Sequence, residues 1–310
     1  MKIALDPHMH RHLSLPDLCR KTAELGYEYI ELSPRDDFLP WWVRPRAHKE
    51  RIAAFRTALS DHGVKLASIL PMYRWASPHE DERRAAVGYW KEAIQACVAM
   101  GCNTMNSEFG RGPSPDRGHR SSCCGGGAFT HEHSEAAWWR SMEELVPVFE
   151  REGVTLNMEP HPEDWCETLH PAIDMLKTIG SKNVKFLYCA PHTFYFGTDM
   201  GRMIREAGDL IAHVHVADTY NHKASSGLRY IINPPGAKVT IHQHMDMHQG
   251  EVDWDVFFSS LAAIGFDGIV TACVFGWEER ADASGRFMRS EIQRYVDKHW
   301  HPGAPDRPGG

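Results

Sequence analysis

The 310-residue sequence has no stretch that approaches the roughly 20 consecutive apolar residues that span a bilayer, so we expect no membrane partner. It also lacks an excess of positive charge. The formal net charge of −7 argues against a surface that holds nucleic acid backbones. The N-terminal sequence, MKIALDPHMH, is interrupted by Asp6, too early for the apolar core of a signal peptide. These absences predict a cytoplasmic protein with neither a nucleic acid nor a membrane as its partner.

The eight cysteines are spread along the chain, and a metal site at the adjacent Cys123 and Cys124 would lack the spaced second pair that such sites need. Since the chain shows no export signal, we interpret them as reduced thiols rather than as a disulfide framework. Cys123 and Cys124 are adjacent and are followed by glycines, which is typical of a flexible loop. The hydrophobic content of 42% is ordinary for a globular enzyme and is sufficient for a large core.

Short β-type runs alternate with helical patterns along the whole chain. The predicted strands are 2–6, 27–32, 64–70, 102–109, 154–159, 184–189, 211–218 and 268–275. The predicted helices lie near 15–25, 47–62, 79–100, 134–152, 169–179, 199–207, 253–264 and 286–298. Strands this apolar are buried on both faces, as they are in parallel sheets. Eight βα units therefore predict an α/β fold, the (β/α)8 TIM barrel.

The predicted barrel is a single domain of residues 1–300, followed by a disordered tail at 301–310 that has no apolar periodicity. Two loops are longer than the barrel needs: about 110–133 after strand 4 and about 218–252 after strand 7. We expect a glycine to end the preceding helix just before several of the strands. These glycines are Gly26, Gly63, Gly101, Gly153 and Gly265.

Titratable residues end most of the predicted strands, and the barrel fold would place them around one mouth. They are Asp6, Glu31, Glu108, Glu159, Cys189, His215 and Cys273. Any one of them alone is typical of a satisfied polar group in the core. A buried carboxylate or imidazole is costly without a partner, so this many at one rim indicates a functional site. The two-residue spacing of His213 and His215 points both side chains into the barrel.

The segments LNMEPHP, FLYCAPHTF, AHVHVAD and QGEVDW carry a resemblance to a known family. Over nearly all of residues 1–300 the chain resembles the xylose-isomerase-like TIM-barrel family, also described as sugar phosphate isomerases and epimerases. This family includes ketose 3-epimerases, inosose isomerases and dehydratases, C-glycoside deglycosidases and endonuclease IV. The acidic net charge makes the endonuclease activity a poor fit.

The resemblance implies one divalent metal ion at the barrel mouth. In the family a Glu ends strand 5, an Asp ends strand 6, a His lies on strand 7 and a Glu lies on strand 8. Position by position, these ligands fall on Glu159, Cys189, His215 and Cys273, so cysteines replace two carboxylates. The histidine that touches substrate in the family falls on His192.

Three interpretations of the two cysteines remain open. Thiolates at Cys189 and Cys273 would soften the site and favour Zn²⁺ over the Mn²⁺ or Mg²⁺ expected for oxygen-rich sites. For the site as a whole we expect Zn²⁺ or Mn²⁺ in preference to Mg²⁺ or Co²⁺. Alternatively, the ion lies closer to the segment HQHMDMH and uses His244 or Asp246 in place of Cys273. In the third interpretation no metal is bound, and the cysteines are small apolar core residues.

The same substitutions bear on the chemistry. In the family, two glutamates move a proton between adjacent carbons of a metal-bound sugar, and only Glu159 of that pair remains here. One base that removes a proton next to a polarised carbonyl is therefore easier to support. His161, His192 and His244 are further acid or base candidates because an unperturbed histidine titrates near working pH.

Substrate contacts are predicted at Glu108 and His192, and at Arg229 in the long loop after strand 7, where a guanidinium could bind a carboxylate, a phosphate or a hydroxyl pair. The aromatic segments LPWW and MYRW are suited to stacking on a sugar or to a protein contact. The expected partner is a small-molecule sugar or sugar conjugate. A homo-oligomer or a small partner subunit is also compatible with these segments.

The resemblance predicts a metal-dependent sugar isomerase or epimerase that acts on a ketose, a keto-sugar or an inosose. A lyase of the same family is the first alternative, either an inosose-type dehydratase or the catalytic subunit of a C-glycoside deglycosidase that acts on 3-keto-glycosides. A non-catalytic sugar-binding barrel is the second alternative, because two carboxylate ligands are replaced.

Overall fold

The computed structural model describes residues 1–110, 129–162, 164–193, 199–220, 244–276 and 278–300. Eight parallel strands form a closed barrel in chain order, and β1 pairs with both β2 and β8. The strands are β1 (Lys2–Leu5), β2 (Tyr29–Leu32), β3 (Lys65–Ile69), β4 (Thr104–Glu108), β5 (Thr155–Glu159), β6 (Val184–Cys189), β7 (Ile211–Val216) and β8 (Ile269–Ala272). The predicted (β/α)8 barrel is confirmed.

The described helices surround the barrel. They are α1 (Leu15–Glu24), α2 (Lys49–Asp61), α3 (Glu80–Ala99), α4 (His131–Glu152), α5 (Leu169–Ile179), the one-turn α6 (Ala190–Thr193), α7 (Met200–Ala207), α8 (Trp254–Ala263) and α9 (Ala281–His299). Short 3-10 turns occur at His8–His10, Gly208–Leu210 and Glu278–Arg280. None of these helices combines the length and the apolarity needed to span a bilayer.

The helix boundaries follow local sequence signals. All the glycines predicted to end helices have positive φ, from 64° at Gly63 to 86° at Gly26. This left-handed conformation costs glycine least, so the predicted helix ends are confirmed. Helix α4 begins three residues earlier than predicted, where the backbone N–H of Thr130 donates to Nδ1 of His133 at 3.1 Å. Helix α9 also begins early because it continues directly from the 3-10 turn.

Aromatic side chains fill the space between the barrel and helices α3 and α4. Trp75 stacks on Trp90 with ring centroids 4.4 Å apart, and both are fully buried. The segment MYRW is expected to suit stacking on a sugar or a protein contact, but Trp75 offers its ring to neither, because the ring is packed against Trp90 of α3. Trp41 does remain exposed. The six described cysteines are buried and form no disulfide: Cys19, Cys97, Cys102, Cys166, Cys189 and Cys273.

The ends of the long loop after β7 are tied together by Asp218. Its carboxylate accepts hydrogen bonds from the backbone N–H of His248 at 2.8 Å, the backbone N–H of Val252 at 3.1 Å and the indole of Trp254 at 3.0 Å. Asp218 also forms an antiparallel bridge with Met245. The QGEVDW segment thus supplies two of these three donors, Val252 and Trp254, which hold the end of the loop against the strand.

Several predictions concern parts of the chain outside the described residues. These parts include residues 111–128 with Cys123 and Cys124, residues 221–243 with Arg229, and the tail at 301–310. The domain boundary near 300 therefore stays a prediction. The connections after β4 and β7 do span residues 109–130 and 217–253 between their flanking elements.

Candidate active site

Glu159 is a buried carboxylate at the C-terminal end of β5. Its side chain is 2% exposed. Its Oε1 atom lies 2.8 Å from Nδ1 of His192 and 3.3 Å from Nδ1 of His215. Among the described residues, however, no donor is oriented to hydrogen-bond this oxygen. Burial raises the pKa of the Glu159 carboxyl, but the neighbouring imidazoles outweigh that effect and hold the pKa well below its usual range.

His215 lies between two carboxylates. Its Nε2 atom is 2.9 Å from Oε1 of Glu31, and its Nδ1 atom faces Glu159. Burial acts to lower the pKa of the imidazole, but the neighbouring acidic groups of Cys273, Glu31 and Glu159 outweigh that effect and hold the pKa well above its usual range. Without a bound cation, His215 is therefore an imidazolium shared by the two carboxylates.

The two cysteines of the predicted ligand set lie in the same buried region. The Sγ atom of Cys189 groups with ligand atoms of Glu159 and His215, all within 4.8 Å of one another. The Sγ atom of Cys273 lies 3.7 Å from Oδ2 of Asp6. Burial raises the pKa of both thiols well above the usual range, so each stays protonated unless a cation displaces its proton.

Asp6 is a buried carboxyl at the end of β1 whose protonation the sequence does not reveal. Burial, followed by the negative charge of Glu31, raises its pKa to about 7. Its Oδ2 atom accepts a hydrogen bond from Oγ of Ser33 at 2.6 Å, and Oδ1 accepts one from the backbone N–H of His8 at 2.9 Å.

His192 and His244 form a hydrogen-bonded pair next to Glu159. Nδ1 of His244 donates to the backbone carbonyl of Cys273 at 2.7 Å, because a carbonyl oxygen can only accept. Nε2 of His244 lies 3.2 Å from Nε2 of His192. Burial lowers the pKa of His192 to about 4 and that of His244 well below its usual range. Neutral His244 thus accepts from Nε2–H of His192.

A second group of ligand-type side chains flanks this site. Nε2 of His161 is 3.6 Å from Oε1 of Glu108, and its ring meets that of His192 edge-on with centroids 4.4 Å apart. Glu108, His161 and Asp164 also group within 4.8 Å. Asp164 accepts a hydrogen bond from the backbone N–H of Gly110 at 2.9 Å. The structure therefore brings the predicted substrate contact Glu108 next to the predicted acid or base His161.

Glu31 occupies the layer of the barrel beneath Glu159. Its Oε2 atom accepts hydrogen bonds from Oγ of Ser68 at 2.5 Å and from Nδ2 of Asn106 at 2.7 Å, and it lies 3.1 Å from Nε2 of His213. Burial raises the pKa of Glu31, but the charges of His215 and His213 outweigh it and hold the pKa well below its usual range. The sequence marks Glu31 only as a polar strand end, because its partners come from β3, β4 and β7.

Four groups of described residues could hold a metal ion. They are Glu159–Cys189–His215, Cys189–His192–His244, Glu31–His213–His215 and Glu108–His161–Asp164. The Glu31 group fits poorly, because hydrogen-bond donors already surround its carboxylate. The Glu159 group fits best, because Oε1 accepts no hydrogen bond from the described residues. Its oxygen, sulfur and nitrogen donors are a set that suits Zn²⁺.

Known proteins share this architecture. The sequence matches the family described as the xylose isomerase-like TIM barrel over residues 19–291. An inosose isomerase from Bacillus velezensis is 22% identical over 261 residues, which cover 84% of this chain and 81% of the isomerase.

Solved structures with the same fold include the IOLI protein with a bound zinc atom. It superposes with a TM-score of 0.73 at 18% identity, covering 96% of this chain and 99% of that one. A D-tagatose 3-epimerase-like protein superposes with a TM-score of 0.72 at 15% identity, covering 96% and 98%. Because the family match spans most of the chain, the protein belongs to the xylose isomerase-like TIM-barrel family.

Proposed function

We propose that the protein is a metal-dependent sugar isomerase or epimerase. Its substrate is a ketose, a keto-sugar or an inosose, and the reaction begins with removal of a proton next to the substrate carbonyl. The observation that carries the proposal is the environment of Glu159 Oε1 at the barrel mouth. This charged oxygen lies close to two imidazole nitrogens and accepts no hydrogen bond from the described residues.

The residues that would hold the metal are Glu159, Cys189 and His215, whose ligand atoms lie within 4.8 Å of one another. When bound, a divalent cation supplies Lewis-acid polarisation of a substrate carbonyl. Zn²⁺ or Mn²⁺ is the ion we expect, in preference to Mg²⁺ or Co²⁺. Cys273 stays the predicted fourth ligand, with its Sγ atom next to Asp6.

The chain's own acid–base groups support a single-base reaction. Glu159 is ionised and His192 is neutral at pH 7, so both can accept a proton. They lie only 2.8 Å apart and therefore serve the same face of a substrate. The thiol of Cys273 has its pKa raised by burial and is a poor second base. Moving one proton along one face of the substrate suits isomerisation better than inversion by two opposed bases.

A lyase is the second candidate, and the replacement of a carboxylate by Cys273 favours it. Once a proton is removed next to a carbonyl, a β-substituent can leave without any second carboxylate. The substrates would then be 3-keto-glycosides, as for a C-glycoside deglycosidase with a small protein partner, or an inosose, as for a dehydratase. The proton acceptor would be the same, Glu159 or His192.

The test uses the full chain, stripped of metal and reloaded with Zn²⁺ or Mn²⁺, in deuterated buffer. An inosose, a ketohexose and a 3-keto-glycoside are each followed by NMR. We expect deuterium to enter next to the carbonyl of one of them, together with an isomerised product. A released aglycone or an unsaturated product would select the lyase instead. If no substrate exchanges deuterium with either metal, the proposal fails.

A further inference from the structure

Glu31 contacts His215 with one carboxylate oxygen, and its other oxygen accepts hydrogen bonds from other strands of the barrel. Oε1 lies 2.9 Å from Nε2 of His215. Oε2 accepts hydrogen bonds from Ser68 on β3, Asn106 on β4 and, at 3.5 Å, Oγ1 of Thr271 on β8. Since these donors come from different strands of a closed barrel, the carboxylate cannot rotate without breaking several hydrogen bonds.

The partners of Glu31 are themselves held in one orientation. Nδ2 of Asn157 donates to Oδ1 of Asn106 at 2.8 Å, so the Nδ2 group of Asn106 must face Glu31. The same Nδ2 group lies 3.2 Å from Nδ1 of His213, which therefore accepts. His213 must then carry its proton on Nε2, next to Glu31 and 2.8 Å from Oγ1 of Thr271. The layer beneath the mouth forms a single oriented network.

We propose that Glu31 is a positioning residue that selects the nitrogen His215 offers to a metal ion. By accepting Nε2–H, it fixes the imidazole with Nδ1 facing Glu159 Oε1, 3.3 Å away. A metal-ligating histidine commonly donates its other ring N–H to a carboxylate, which orients the ring and increases its basicity. This inference rests on the proposed function, because it needs a metal ion at the Glu159 group.

The Glu31 group itself is a poorer site for the ion. Nε2 of His215 donates to Oε1 of the carboxylate. Ser68, Asn106 and Thr271 donate to Oε2, and Nε2 of His213 lies 3.1 Å from the same oxygen. A cation placed there would have to displace these donors. Glu159 Oε1, by contrast, accepts no hydrogen bond from the described residues. The two carboxylates therefore have different roles: Glu31 orients His215, and Glu159 binds the ion together with His215.

The experiment compares Glu31→Gln with the control Ser68→Ala in the full chain. Ser68→Ala removes one donor to Oε2 but leaves the contact between Oε1 and His215. Zinc affinity is measured by competition with a chromophoric chelator. We expect Glu31→Gln to weaken zinc binding by about 10- to 100-fold, and Ser68→Ala to change it by less than about threefold. Equal affinity in Glu31→Gln and the unmodified protein overturns the inference while leaving the proposed function intact.

A second measurement does not depend on the folding of a variant. In the zinc-loaded natural sequence with ¹⁵N-labelled histidine, NMR identifies which ring nitrogen of His215 carries the proton. We expect a protonated Nε2 and a metal-bound Nδ1. Zinc on Nε2, or a proton on Nδ1, overturns the role of Glu31. Failure of the natural sequence to bind zinc or manganese at all instead contradicts the metal dependence in the proposed function.

Discussion

Glu31 and Glu159 are two buried carboxylates that contact opposite nitrogens of the same imidazole, that of His215. Their surroundings differ. Around Glu31, side chains from β3, β4 and β7 donate to the carboxylate. Around Glu159 Oε1, the nearby nitrogens lie at ion-pair distances without hydrogen-bond geometry.

The difference indicates different roles for two chemically identical groups. A buried charge whose donors all come from the fold is satisfied without a ligand, so it contributes to structure and orientation. A buried charge that receives too few hydrogen bonds from the fold is suited to bind a cation or a substrate group from outside the chain. The structure thus separates a carboxylate in the barrel interior, to which we assign an orienting role, from one at the mouth, to which we assign the proposed reaction.

The largest effect is expected from Glu159→Gln. The amide keeps the size of the side chain but can neither accept a proton nor offer a charged ligand. We expect deuterium exchange and turnover of the responsive substrate to fall by about 10²- to 10⁴-fold. The control is Glu28→Gln, an exposed residue at the opposite end of the barrel, just before β2. Activity of Glu159→Gln within a few-fold of that control would remove Glu159 from the mechanism.

Glu31→Gln tests whether Glu31 contributes to the free energy of unfolding through its hydrogen bonds. An amide in this place sets an NH₂ group against the donors of Asn106 or His215, so one contact becomes repulsive. Breaking a buried, hydrogen-bonded charge pair costs about 3–5 kcal/mol of unfolding free energy. We expect Glu159→Gln to cost less, because fewer hydrogen bonds are lost. Urea unfolding in the presence of a chelator measures both, and the distinction is wrong if Glu159→Gln is the more destabilised variant.

Most of the fold was predictable from the sequence because its signals are local. Apolar runs located the strand boundaries to within three residues, and glycines such as Gly153 marked the helix ends. The burial of Trp75 was not predictable, because its stacking partner Trp90 lies on a helix whose packing angle no local pattern encodes.

From the residues alone, the site was predictable only as a list of strand-end residues, and the family resemblance supplied the ligand set of Glu159, Cys189, His215 and Cys273. The grouping of Glu159, Cys189 and His215 depends on the register of the barrel, in which Cys189 pairs with His215. The protonation states were not predictable at all. They follow from contacts such as that of His244 with the Cys273 carbonyl, between residues that are far apart in the chain.

Asp6, which lies next to Glu31, makes the stability of this buried network depend on pH. Its folded-state pKa is raised to about 7, partly by the charge of Glu31, whereas an unfolded aspartate titrates near 3.9. The folded state therefore holds this proton more tightly than the unfolded state, and the stability this provides is present below about pH 4 and lost as pH rises through about 7. We expect Asp6→Asn to be more stable than the natural sequence at pH 8, by at most about 4 kcal/mol, with no such gain at pH 4.

Urea unfolding at pH 4, 6 and 8 in the presence of a chelator checks this prediction, with Glu28→Gln as the variant that leaves the buried network intact. Parallel pH profiles for Asp6→Asn and the natural sequence would show that Asp6 is not the group that titrates.

The smallest effect concerns stabilisation by a bound metal ion. It tests whether Glu159, rather than Glu31, is the carboxylate that binds the ion. A ligand that binds only the folded state at 100 times its dissociation constant raises the unfolding free energy by about 2.7 kcal/mol. We expect zinc to stabilise the natural sequence and Glu28→Gln to this extent, and Glu159→Gln far less, because the variant loses the anionic ligand. Thermal unfolding with zinc and with excess chelator measures the difference. Equal stabilisation of Glu159→Gln would place the ion elsewhere, with the Glu108–His161–Asp164 group as the next position to test.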